Sequence, residues 1–274
     1  VLIFLTLIAL LPSWDFFYSA QGVCKRLPGQ PVGMQEWASL FYYAEGIIPA
    51  KALGWLGILT AASFTVGFQT RACTIFLFLL VCSMVNTCRS SINGEDLVYR
   101  MLLFYSCFAP LGQSLSVDSW RRRGDASPPP RIWPVRLMQI NFALIYIFTQ
   151  TRKVYGDPVW MGGDAMYYTM VNTTWSRFPW PMLFANPLVT KLTTYGSLVI
   201  ELAFPLLVWF RPFRLSVIAL LAAVHIGIAV GLQNVTFFSL AMVAALWIFV
   251  PAADTRRLGR SVSRWLSLRG TPRT

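Results

Sequence analysis

The sequence predicts an all-α fold, a polytopic transmembrane helical bundle of about eight spans with both termini cytoplasmic. Three observations carry this. Hydrophobic residues fill 56 % of the 274 positions and charged residues only 12 %, about half the roughly 25 % with which a soluble protein covers its surface. The apolar residues fall in long stretches, and a helix needs about 20 of them to cross a hydrocarbon core of about 30 Å. The positive charge, +12 in all, is divided unevenly between alternate loops.

Eight stretches read as spans: Val1–Tyr18, Ala52–Phe68, Ala72–Thr87, Leu97–Leu111, Ile132–Gln150, Leu192–Phe210, Leu215–Leu232 and Val235–Val250. The first has a removable signal peptide as its alternative, against which stand Asp15 and the aromatic run Phe16-Phe17-Tyr18. Leu97–Leu111 is short and carries Arg100. When alternate loops are assigned to opposite sides, one side receives Arg71, Arg121, Arg122, Arg123, Arg131, Arg136, Arg211, Arg214 and the arginines from Arg256 to Arg273. These face only Asp118, Asp125 and Asp254, whereas cations and acids nearly balance on the other side. Cytoplasmic loops carry the Lys/Arg excess, so segments 19–51, 88–96 and 151–191 are expected to be exoplasmic. This distribution points the basic charge at topology and membrane lipid, with no nucleic acid as a partner.

Residues 1–252 form the expected bundle and 253–274 a basic amphipathic cytoplasmic tail. In that tail Leu258, Val262, Trp265 and Leu266 recur at helical spacing among arginines, as in a helix lying on anionic lipid or a solvated tail that enforces topology. The segment 113–131, with Arg121–Arg123 and Pro128–Pro130, reads as a stiff cytoplasmic connector. The five cysteines contain no C-x-x-C pair, and the single histidine, His225, excludes a multi-histidine metal site. No phosphate-binding glycine motif occurs. Cys24 and Cys88 both fall on the exoplasmic side, where a disulfide can form, although spacing alone does not show that they meet. Cys73, Cys82 and Cys107 read as small apolar residues.

Ionisable groups inside spans cost about 2.5–3.5 kcal/mol on insertion scales, so they face protein or water. Here they are Arg100, Glu201 and His225, joined by Gln139, Asn141 and Gln150 on the fifth span. At about 1.5 Å per residue, Arg100 and His225 lie near the exoplasmic end, Glu201 nearer the midplane, and Arg152-Lys153 cap the fifth span. Each taken singly reads equally as a structural network, such as Arg100 with Glu201; together they suggest a pocket opening outward. A lysine ammonium, with an ordinary pKa near 10.4, becomes useful as a base where desolvation and a neighbouring cation favour the neutral amine. Lys153 has Arg152 beside it and Tyr155, Trp160, Tyr167 and Tyr168 after it. Spacing alone makes it a snorkelling anchor more often than a catalyst.

The order of several local patterns adds to this. Ser116-Val-Asp118 follows the fourth span, and Arg152-Lys153 is followed by Trp160-Met-Gly-Gly163. Then come Thr193-Thr-Tyr-Gly196, Glu201-Leu-Ala-Phe-Pro205 and His225. Over roughly 1–252 the chain resembles the horizontally transferred transmembrane (HTTM) family, the membrane core of vitamin K-dependent γ-glutamyl carboxylase and its bacterial relatives. The resemblance implies that Lys153 is the base that deprotonates reduced vitamin K or another quinol. Oxygen then generates a stronger base that removes the γ-proton of a glutamate, carbon dioxide adds, and the quinone leaves as its epoxide. It also implies pocket roles for Arg152, His225, Glu201, Arg100, Glu95, Asn93 and Trp160, and no metal.

Two departures from the family pattern stand out. Asn93-Gly-Glu95-Asp96 replaces an Asn-His element before the fourth span, so Glu95 is the group there that can accept a proton. The carboxylase's large luminal domain has no counterpart before Thr274, so the expected protein substrate is a different one, one borne by a partner, or none. The implied function is an integral membrane enzyme of the bacterial cell membrane, using a reduced quinone, oxygen and carbon dioxide to modify an exported peptide on the exoplasmic face. The alternatives are a non-catalytic quinone- or lipid-binding or peptide-maturation partner module, or a small transporter.

Overall fold

The computed structural model describes residues 1–19, 22–24, 38–44, 47–89, 92–113, 116–122, 132–178, 181–251 and 254–255. Among these residues every named element is helical: α1 (Leu2–Leu10), α2 (Trp14–Tyr18), α3 (Leu40–Ala44), α4 (Ala50–Val66), α5 (Thr70–Thr87), α6 (Gly94–Ser106), α7 (Val117–Arg121), α8 (Trp133–Gly156), α9 (Pro158–Gly162), α10 (Ala165–Val171), α11 (Pro181–Phe184), α12 (Pro187–Leu207), α13 (Arg211–Gly231) and α14 (Thr236–Leu246). Each apolar stretch read from the sequence coincides with a helix. Among the described residues, only α5 and α13 are both long and apolar enough to cross a membrane by length and composition, with mean hydropathy 1.5 and 2.1. Leu2–Tyr18, Ala50–Val66 and Thr236–Phe249 are apolar but shorter.

Local chemistry sets the breaks. Pro12 has no N–H for an α-helical bond, and the first stretch passes through a 3-10 turn at Leu11–Ser13. Helix α4 stops at Gly67, which takes φ +73°, a left-handed conformation open to glycine because it lacks Cβ. Helix α8 continues to Gly156, so Arg152 and Lys153 lie inside it instead of capping it at Gln150. The segment after it is not an open loop: α9, α10 and α11 form a helical cap over that end of the bundle. The tail reading lies outside the described residues except at Asp254 and Thr255, and so does most of the proline-rich connector.

Packing follows the small residues. Trp14, fully buried, covers Gly54, where an added Cβ would meet the indole at 2.9 Å, and its Nε1 donates to the Ala50 carbonyl at 2.7 Å. Tyr18 stacks on Phe41. In the centre Phe142, Tyr146, Phe204 and Phe249 pack ring to ring at 5.1–6.0 Å. Each such aromatic pair adds about 0.5–1.5 kcal/mol beyond its area. The outer surface is apolar: only 17 % of the apolar window of α13 is buried, and Phe148, Leu192, Val199, Leu206 and Val230 are exposed. Exposed apolar surface of this extent marks contact with a membrane or a protein partner.

Two links close the ends. At one, Asp118 accepts hydrogen bonds from the Gln69 and Thr70 backbone N–H groups at 2.9 and 2.8 Å and from Thr70 Oγ1 at 2.7 Å. It thereby satisfies donors that the start of α5 leaves without partners. These bonds hold the Asp118 carboxyl below the usual aspartate range. At the opposite end Cys24 and Cys88 form a disulfide, joining the segment after α2 to the end of α5.

Because a depressed carboxylate contributes stability above its unfolded pKa and loses it as pH falls through the folded value, acidification below about pH 4 should weaken the Asp118 clasp. Asp118→Ala should cost about 1 kcal/mol at neutral pH and abolish that part of the acid loss, read from thermal midpoints across pH. Reduction should add two hydrogens to the intact mass and lower unfolding stability by about 2–4 kcal/mol, whereas Cys88→Ser should show neither change.

Candidate functional site

Helix α8 places Tyr146, Gln150 and Lys153 on one face, because positions four and seven apart share a side of a helix. Tyr146 and Gln150 are buried; Lys153 is half-buried while Arg152, about 100° round the helix, is exposed. Facing them on α12 is Glu201. Its Oε2 accepts from Gln150 Nε2 at 2.5 Å and from Lys153 Nζ at 2.6 Å. The Lys153–Glu201 ion pair retains side-chain exposures of only 20 % and 10 %. Lys153 Nζ also lies 4.2 Å from the centroid of the Trp160 ring, a distance at which the negative π-face attracts a cation.

The charged neighbour of Lys153 is therefore a carboxylate. The sequence reading gave that place to Arg152, whose adjacent position in the chain turns it to another side of the helix. The Arg100–Glu201 pairing is likewise replaced: among the described residues no carboxylate forms an ion pair with Arg100, which is half-buried on α6. Gln139 and Asn141 lie some 20 Å along α8 from Lys153. There Gln139 Nε2 donates to the Ile248 carbonyl at 2.7 Å and Asn141 Nδ2 to the Tyr105 hydroxyl at 2.7 Å. Both fasten helices at the far end.

One level below the ion pair, the Tyr146 hydroxyl and His225 Nε2 share a hydrogen bond of 2.8 Å. His225 is 4 % exposed, and its Nδ1 is sealed from solvent with no partner. The same holds for Glu95 Oε2 on α6 and Ser239 Oγ on α14. Phe238 connects these positions: its ring lies 6.0 Å from the His225 ring, and a Cβ at Gly94 would meet it at 2.7 Å. Buried polar atoms are ordinarily hydrogen-bonded, and these three lie on α6, α13 and α14, of which α14 packs against both of the others. Asn93 has a local task, since its backbone N–H donates to Asp96 at 3.0 Å at the start of α6.

A family model for the HTTM domain matches residues 51–253. The chain belongs to the HTTM family. No curated protein and no solved structure matches it. The patterns after α8 have a physical job in this HTTM bundle, which is to hold the cap. Gly163 takes φ +84° beneath Tyr195, whose hydroxyl donates to the Met161 carbonyl at 2.9 Å. Thr194 Oγ1 accepts from the Met166 N–H at 3.2 Å. These bonds tie α9 and α10 to α12 and set Trp160 over Lys153. Pro205 supplies no N–H to the carbonyl of Glu201, four residues earlier, so α12 lacks one helical bond at the level of the site.

Tyr146 was not singled out from the sequence. Its signal was its place four residues before Gln150 and seven before Lys153 on one stripe. Tyr146→Phe removes the one partner of a buried imidazole and should lower unfolding stability by about 1–3 kcal/mol, measured by thermal unfolding in detergent. Tyr105→Phe, at the far end of the bundle, should leave Lys153-dependent behaviour unchanged.

Proposed function

We propose that this HTTM bundle is an integral, multi-pass membrane enzyme of the bacterial cell membrane. It uses a reduced quinone and oxygen, with carbon dioxide as further co-substrate, to modify an exported peptide at the exoplasmic face. The observation that carries the reading is the half-buried Lys153–Glu201 pair beside an unpartnered imidazole nitrogen, roofed by Trp160 and walled by Tyr146 and Phe204.

The topology that supports it is the eight-span arrangement with cytoplasmic termini. The described cations Arg71, Arg121, Arg122, Arg136, Arg211 and Arg214 gather at the Asp118 end. The Lys153 end mixes cations with Asp15, Glu95, Asp96, Asp157 and Asp164, in keeping with a cytoplasmic excess of arginine. The Cys24–Cys88 disulfide is at the Lys153 end, and disulfides persist on the oxidising side of a membrane.

The residues fit a quinol. A flat, weakly acidic ring with hydroxyl groups at opposite ends asks for aromatic or apolar walls and for polar partners at both ends. Tyr146, Phe204 and Trp160 supply rings, and Lys153, Glu201, His225 and Glu95 supply polar atoms. When bound, a reduced quinone supplies the reducing equivalents and the reactivity towards oxygen. The chain's own part is to bind the ring, orient it through His225, exclude water with the α9–α10 cap, and hold or move a proton at the Lys153–Glu201 pair. Proton transfer at such a positioned pair contributes about 10²–10⁴-fold in rate.

Purified protein in lipid nanodiscs given reduced vitamin K and oxygen should consume the quinol and yield its epoxide. Lys153→Ala should lower this by about 10²-fold or more and also weaken quenching of Trp160 fluorescence by the quinone. Unchanged turnover in Lys153→Ala would overturn the reading. Binding without turnover in the wild type would point instead to a non-catalytic quinone-binding partner module.

A further inference from the structure

We infer that Arg100 on α6 binds an anionic phospholipid, its guanidinium pairing with the lipid phosphate while the apolar strip around it receives an acyl chain. This site rests on membrane insertion as read above and is independent of the quinol.

Arg100 carries a charge that its protein surroundings leave uncompensated. It is half-buried, and among the described residues its guanidinium donates no hydrogen bond and meets neither a carboxylate nor a ring face. The acid one turn before it is already engaged, since Asp96 Oδ2 accepts from the Asn93 N–H at 3.0 Å. Glu95 is buried on another side of the helix. A guanidinium stays charged at any working pH, and an ionised side chain in apolar surroundings needs a partner.

The position says what kind of partner this is. Leu97 and Phe104, one turn to either side, share the Arg100 side of α6 and are exposed, as are Phe108 just beyond the helix and Leu79 on α5. Helices α5 and α6 pack together, with the Phe78 and Phe104 rings 5.5 Å apart, and the Arg100 charge reaches Cys82 on α5. A charge set in an exposed apolar strip faces hydrocarbon, so its counter-ion has to arrive with hydrocarbon attached. A phospholipid carries both.

Depth agrees with this. Arg100 lies about 10 Å along α6 from its start at Asn93. Side chains of a helix lean towards its N-terminus, so the long arginine rises towards the Lys153 end and the headgroup layer. Helix α6 has 13 residues, about 20 Å of rise against about 30 Å of hydrocarbon, and a bilayer thins beside so short a helix. Both effects bring phosphate to the level of Arg100. The planar guanidinium offers phosphate two parallel hydrogen bonds. A lipid of net negative charge neutralises it, whereas a zwitterionic headgroup brings an ammonium of its own to compete.

The test uses the full chain in detergent micelles, with phosphatidylglycerol as the probe and phosphatidylcholine and glycerol phosphate as comparisons. Native mass spectrometry reads lipid retention, and a diazirine on the acyl chain of phosphatidylglycerol maps where it lies. The wild type should hold one phosphatidylglycerol about tenfold or more tightly than phosphatidylcholine, with cross-links at Leu97, Phe104 or Phe108. Arg100→Met should lose both the preference and these cross-links, and Arg100→Lys should keep part of the preference as a point charge. Arg100→Gln, polar but uncharged, guards against a failure of Arg100→Met to fold and should lose the preference equally. Preference and cross-links unchanged in Arg100→Met and Arg100→Gln overturn the proposal, as do cross-links confined to the Asp118 end. Displacement of the lipid by an equal concentration of glycerol phosphate overturns the lipid as the source of the phosphate. A chain released from membranes by alkaline carbonate without detergent removes membrane insertion, and this site with it. Quinol turnover is not a readout, so failure of the quinol site leaves the lipid site standing.

Discussion

The arrangement depends on one ion pair between neighbouring helices, Lys153 on α8 and Glu201 on α12. Charges taken out of water lose solvation worth several kcal/mol per ion, and that loss is offset only where geometry and further hydrogen bonds are good. Gln150 supplies the further bond to Glu201, and Trp160 supplies the second partner of Lys153. Replacement of such a pair by apolar residues is often neutral or stabilising. Its presence in a bundle with ample apolar packing therefore argues for a chemical purpose.

The surroundings divide into parts that hold and parts that wait. At the Asp118 end several polar groups are engaged: Asp118 clasps the start of α5, Gln139 grips Ile248, and Arg214 Nε donates to the Val208 carbonyl at 2.9 Å. At the other end Arg177 binds the α13–α14 turn through Leu232 and Thr236. In the same half His225, Glu95 and Ser239 each keep an atom without a partner. Protein interiors rarely leave polar atoms so, and all three lie in the half of the bundle that holds Lys153.

Much of this was legible in the sequence. The helices could be placed because apolar stretches and their Pro, Gly and Arg boundaries are local properties. The rarity of Glu201, His225 and Lys153 in apolar surroundings marked them as well. Partnership was harder to read. Arg152 is Lys153's neighbour in the chain, yet Glu201, 48 positions away, is its neighbour in space. Helical rotation of about 100° per residue separates the first and tertiary packing brings the second. Tyr146 escaped for a related reason: a tyrosine on an apolar stripe looks like core until the histidine opposite it is known. The cap over the site was hidden because α9, α10 and α11 are too short to show a periodic pattern.

Helix α12 has a mechanical consequence of its own. Thr194 and Tyr195, which fasten the covering segment, sit about two turns from Glu201 on the same rod, and Pro205 loosens that rod just beyond. The roof over Lys153 and the carboxylate beneath it thus hang on a single helix, so neither can be displaced by a turn of that rod without the other.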